Sequence, residues 1–200
     1  MSSSAWASAG SFVEWFQYSP WGFISFALAI LGVLLAVIPL FQMFYGGPDI
    51  AIKFTRSKSG EQALEGIGMH INNRPISSSF LRGIGVMRSS ADDVVCHFRV
   101  CEASSGKEIK DFFPAIVADP AGQSVRRASL GASRFVTYVS FGIVKNGKFY
   151  LDLGNMQTHP LQTGRYKVVA SVEWAGKSLA EEKHLIVRDS DPYGFWESEQ

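Results

Sequence analysis

Hydrophobic positions along this chain follow two incompatible patterns. From 21 to 45, WGFISFALAILGVLLAVIPLFQMFY contains no charged residue, and no polar stripe interrupts it. From 50 onward, apolar and polar positions alternate in short runs broken by turn residues. A helix rises about 1.5 Å per residue, so the first stretch outruns the roughly 30 Å hydrocarbon core of a bilayer. It predicts a transmembrane helix over 21–45, because a helix in a soluble core normally keeps one polar face. Gly46-Gly47-Pro48, within 46–49, reads as the hinge that ends it. The alternating runs predict strands at 50–55, 67–72, 83–88, 94–102, 112–118, 135–144, 148–153, 165–174 and 179–188. Period-two alternation marks half-buried strands, and short strands with frequent turns predict an all-β antiparallel sandwich over 50–188.

Two hairpins are written locally. Asn146-Gly147 joins two strand-like runs and supplies the positive φ that a tight hairpin turn requires. Ala175-Gly176 marks a second turn, with Ala a poor residue for that conformation. Between them, Tyr166, Val168, Ala170, Val172 and Trp174 share one strand face, opposite Arg165, Lys167, Ser171 and Glu173. The segment entering this strand, Leu161-Gln162-Thr163-Gly164-Arg165-Tyr166, resembles the tyrosine corner of immunoglobulin-like sandwiches, in which the tyrosine hydroxyl bonds back to nearby backbone. The resemblance rests on Leu161, Gly164 and Tyr166 and implies an immunoglobulin-like β-sandwich. It carries no function, since that architecture hosts many. Where antibody domains place a cysteine two residues after the tyrosine, this chain has Val168.

The flanks of the span orient it. Residues 1–20 hold aromatic side chains, Phe12, Trp15, Phe16 and Tyr18 among them, with Glu14 as their one charge. Such rings favour the membrane-water interface, so the leader is expected to lie on the bilayer surface. A signal peptide would carry a basic start and a small-residue cleavage site; this segment has neither and reads as an uncleaved anchor. Lys53, Arg56 and Lys58 follow the helix, so the positive-inside rule places the N-terminus outside and the C-terminal domain in the cytoplasm. Within the span, Ser25, Ala29, Gly32 and Ala36 line one face. Small side chains let a neighbouring backbone approach closely, so this face is the candidate docking stripe for another membrane helix. Pro39 removes one backbone donor and bends the last turns.

Composition narrows the partners and chemistry. A formal charge of +1 gives no basic field to recruit nucleic acid. Cys96 and Cys101 lie five apart on one predicted strand, hence on opposite faces, so no disulfide between them is expected. His70, His97, His159 and His184 are scattered without metal-ligand spacing. Cys96, His97 and Cys101 come nearest to a site, but adjacent strand residues point apart. The chain has no nucleophile elbow, P-loop or zinc-protease helix. Asp92-Asp93 and Glu181-Glu182 read as solvated pairs. No catalytic, cofactor or metal site is expected.

Three features remain for contact with other molecules. Glu65-Gly66-Ile67-Gly68-Met69 is echoed by Arg82-Gly83-Ile84-Gly85-Val86; paired glycines on a strand face leave bare backbone that a ring or another chain can cover. Val125-Arg126-Arg127-Ala128-Ser129-Leu130 matches the R-R-x-S-φ pattern that basophilic kinases prefer, in an expected loop, which makes Ser129 a weak phosphosite. The tail 189–200 sets Tyr193, Phe195 and Trp196 among acidic residues, either folded back or offered to a partner. These features together predict a single-pass membrane protein. Its β-domain would serve as an accessory or scaffolding subunit of a membrane assembly, contacting protein partners through the span and the domain, or a second copy of itself. The competing expectation is a tethered ligand-binding or sensory sandwich on the exoplasmic side.

Overall fold

The computed structural model describes residues 20–57, 66–117, 124–132 and 136–197. The leader aromatics Phe12, Trp15, Phe16 and Tyr18, together with Glu14, Lys58, Glu65 and Phe135, lie outside the described residues. The chain divides into two compact units, Met1–Gly47 with Ile76–Met87, and Pro48–Pro75 with Arg88–Gln200.

In the first unit, one helix, α1, covers Pro20–Tyr45 with Pro39 inside it. Gly46 N donates to Gln42 O at 2.8 Å and closes the last turn. The second piece of this unit carries a short helix, α2, at Ser79–Gly83. This corrects the expected strand at 83–88, and the reason is local. Ser78 caps the N-terminus, its hydroxyl accepting from Leu81 N at 3.3 Å. Gly85 takes φ +85°, while Gly85 N donates to Arg82 O at 3.1 Å and Val86 N to Leu81 O at 3.0 Å. Those two bonds around a left-handed glycine form a Schellman stop. The side-chain amide of Gln42 then grips the backbone of Met87: Nε2 donates to Met87 O at 2.7 Å, and Met87 N donates to Oε1 at 2.9 Å.

The second unit is built of strands: β1 Ile50–Ser57, β2 Gly66–Asn73, β3 Ala91–Glu102, β4 Glu108–Phe112, β5 Ile116–Val117, β6 Ser124–Val125, β7 Ala128–Leu130, β8 Thr137–Lys145, β9 Lys148–Gly154, β10 Gln157–Pro160, β11 Gly164–Trp174, β12 Lys177–Arg188 and β13 Asp191–Trp196. They form two antiparallel sheets. One runs β1-β2-β8-β5-β6, with β9 and β10 continuing from β8; the other runs β13-β12-β11-β3-β4, with β7 paired to β3. The expected strand at 112–118 is two strands in different sheets. Pro114 separates them, lacking the N–H that a continuous ladder needs. The segment at 128–130 is the strand β7, not a loop.

The inward faces share one core, consistent with a β-sandwich. On β11, Tyr166, Val168, Ala170, Val172 and Trp174 are buried, the face that the alternation names. Aromatic rings join the sheets: Phe141 of β8 lies 4.9 Å edge-on from Phe98 of β3 and 6.1 Å from Phe112 of β4. Trp196 of β13 sits 5.4 Å from Phe141 and 4.6 Å from Phe54 of β1. The segment read as a tail is therefore a strand whose last ring belongs to the core. Among the described residues Asn73 is the one buried polar side chain, at 1% exposure, and both ends of its amide are bonded: Nδ2 donates to Ser89 O at 2.8 Å and Leu130 O at 3.1 Å, and Oδ1 accepts from Asp49 N at 3.0 Å.

Candidate functional site

One connected polar cluster comes from three adjacent strands of the second sheet. In register, His97 on β3 faces Ser171 on β11, and Arg99 on β3 faces Asp111 on β4. From Val95 to Cys101 the odd positions of β3 point outward while Cys96, Phe98 and Val100 are buried, so these side chains converge on the outer face. His97 Nδ1 lies 3.3 Å from Ser171 Oγ, and His97 Nε2 meets Asp111 Oδ1. Arg99 Nε approaches Asp111 at 3.5 Å and Glu108 at 3.7 Å. The exposed ring of Phe113 stands 4.8 Å from the imidazole. A neutral imidazole protonated at Nε2 would donate to Asp111 and leave Nδ1 to accept from the Ser171 hydroxyl.

Serine, histidine and aspartate in that order can relay a proton, but acyl transfer also needs donors aimed at a developing oxyanion. Ser171 lies mid-strand, paired on both sides by β3 and β12, so its backbone N–H belongs to the ladder. The arrangement as it stands is a polar clamp tying three strands. Sequence reasoning named His97 and missed Asp111 and Ser171, because the three meet only through strand register.

The other named residues are dispersed. Cys96 and Cys101 are both free, Cys96 buried and Cys101 half-buried. Burial pushes the Cys96 thiol up to about 12, which keeps it protonated and unreactive. His70 lies on β2, edge-on to Tyr138 at 5.7 Å; burial and then Lys53 hold its imidazole below the ordinary value. His159 is on β10 and His184 on β12, 3.7 Å from Glu197. No group of His, Cys, Asp and Glu suited to a metal ion occurs among the described residues. Ser129 is exposed on β7 and its hydroxyl donates to Asp92. Glu182 pairs with Lys167 at 2.7 Å.

Candidate contact residues fall into three settings. Ser25, Ala29, Gly32 and Ala36 are all exposed on α1, and a Cβ built at Gly32 would meet nothing within 4 Å. Gly68 on β2 is covered by the ring of Tyr138; Gly83 and Gly85 end α2, so the glycine echo is no structural repeat. Trp196 Nε1 donates to Thr55 O at 3.0 Å. Arg56 lies 5.6 Å over the Tyr193 ring and Arg188 4.9 Å over Phe195. The tail rings are thus engaged within the β-domain. At the tyrosine corner, Tyr166 Oη donates to Gln162 O at 2.7 Å.

Several open clefts mark the β-domain surface. One, of about 540 Å³, is lined by Lys148, Phe149, Leu161, Thr163, Arg188 and Asp189 among others. Another, of about 570 Å³, includes Asp92, Asp93, Arg127 and Trp174, whose buried Nε1 has no hydrogen-bond partner among the described residues.

The class of protein on these grounds is one long apolar helix followed by a domain of two antiparallel sheets. Comparison with known proteins adds nothing to it: no protein family, curated protein or solved structure matches the chain.

Proposed function

We propose that this protein is a single-pass membrane-anchored accessory or scaffolding subunit, with the N-terminus outside, an immunoglobulin-like β-sandwich in the cytoplasm, and protein partners met through the span and the domain. The observation that carries the reading is the state of Trp21–Tyr45: long and apolar enough to cross a membrane, with its most apolar stretch left unburied by the described residues. A helix filling a soluble core would be covered by its own chain. The bond from Tyr166 to Gln162 O supports the immunoglobulin-like assignment. Lys53 and Arg56, just past the span, support the orientation. The exposed small stripe supports lateral packing.

Isolation of the full chain in mild detergent, with chemical cross-linking, tests it. The expected outcome is association with a partner or a second copy that Gly32→Ile weakens. A chain running alone in every detergent contradicts it.

A second reading, a tethered ligand-binding module on the exoplasmic side, draws on the cleft of about 540 Å³, which is of small-ligand size. Orientation separates the two. A membrane-impermeant maleimide that labels Cys101 on intact cells supports the second reading, and labelling only after lysis supports the first.

A further inference from the structure

The segment Ile76–Met87 belongs to the same compact unit as α1, yet its side chains divide sharply. Ile76 and Val86 are buried at 6% and 2% exposure, whereas Phe80 and Met87 are left 66% and 73% exposed. The Ser78 cap and the left-handed Gly85 give this segment a fixed shape, so the exposed pair is held outward. The Gln42 amide binds both backbone groups of Met87. Those two hydrogen bonds tie the segment to the last turn of α1, whose Met43, Phe44 and Tyr45 are exposed as well.

Taken with the reading of α1 as a span, on which this inference rests, the clamp sets Phe80 and Met87 at the level where the helix leaves the hydrocarbon. Apolar and aromatic side chains are favoured there. The charge pattern agrees: residues 76–87 contain no Asp or Glu, and Arg82 is exposed. A guanidinium on a long stem keeps its head among phosphates while its methylenes cover apolar surface. Gln42 itself fits the depth, since an amide near the hydrocarbon edge needs its hydrogen bonds satisfied, and Met87 satisfies them.

We propose that Ile76–Met87 is a membrane-surface wedge: Phe80 and Met87 enter the boundary between headgroups and acyl chains of the bilayer that α1 crosses, and Arg82 contacts lipid phosphate. The wedge gives the anchor a second, laterally displaced foot, which restrains rotation about the span.

The test uses the full chain in vesicles of phosphatidylcholine and phosphatidylglycerol, with the photoreactive residue benzoylphenylalanine introduced in turn at Phe80, Met87, Leu31 and Met156. Leu31 lies mid-span, and Met156 is an exposed apolar side chain of the β-domain. The expected result is lipid adducts at 80 and 87, as at 31, with none at 156, and loss of the adduct at 87 when Gln42→Leu is added. Adducts at 31 without any at 80 and 87 overturn the wedge and leave the anchor standing. A polypeptide cross-link in place of lipid at 80 or 87 also overturns it. Absence of lipid adducts at 31 removes the anchor and the wedge with it.

Discussion

The helix α1 and the β-domain spend similar side chains in opposite ways. Leu28, Leu31, Val33 and Leu35 of α1 are exposed, and nothing among the described residues buries them. Leu151, Val168, Phe98 and Phe141 of the β-domain are shielded from solvent, with strand alternation sending polar residues to the other face. Burial of a large apolar side chain is worth about 1.5–3 kcal/mol. The β-domain gathers that stabilisation from its own sheets, while the helix gains little of it from the other described residues. The contrast teaches that hydrophobicity alone does not define a core; what matters is whether the pattern leaves a polar face behind.

Substitutions sharpen this contrast when the same chemistry is removed from each region. The largest effect is expected at Phe141, whose ring meets Phe98, Phe112 and Trp196. Phe141→Ala should lower the unfolding free energy of the β-domain by about 4 kcal/mol, read by denaturant titration of near-ultraviolet circular dichroism in detergent. Leu31→Ala should leave that titration within about 0.5 kcal/mol of the parent. A comparable loss at Leu31 would mean that the helix is part of the folded core.

Next comes Asn73, where three hydrogen bonds disappear together. Asn73→Leu leaves the Asp49 N–H and two carbonyls without their partner, and should cost about 2 kcal/mol. Tyr166→Phe removes one bond, to Gln162 O, and should cost about 1 kcal/mol. A change near zero there would show that the hydroxyl is equally well served by water. The smallest effect, and the one stabilising change, is at the turn of β11 and β12. Ala175 holds φ 44°, a conformation that a Cβ disfavours, and Ala175→Gly should gain about 0.5 kcal/mol after the added freedom of the unfolded chain is set against it.

What could be read in advance follows from which interactions are local. The uncharged run from 21 to 45, the alternation along β11 and the Asn146-Gly147 turn are each written within a few neighbouring residues, and the helix, the buried face and the hairpin with φ 50° and 68° lie where those residues put them. The Ser78 cap and Gly85 stop were equally local, but the alternating glycines at 83 and 85 imitated a strand and masked them. Pro114 was visible, yet the exchange of sheets it accompanies depends on pairing partners far along the chain. The same holds for the last strand. Aromatics in a terminal segment announce that something must cover them, and only the meeting of Trp196 with Phe54 and Phe141 identifies the cover. The cluster of His97, Asp111 and Ser171 was illegible because cross-strand register, which no spacing along one strand encodes, brings it together.

The central claim is that α1 lives in lipid. Alkaline carbonate extraction of membranes carrying the full chain tests it most directly. The account predicts that the protein stays with the membrane pellet and that deletion of 21–45 releases a folded β-domain into the supernatant. Recovery of the intact chain in the supernatant, as a folded monomer without detergent, would contradict it.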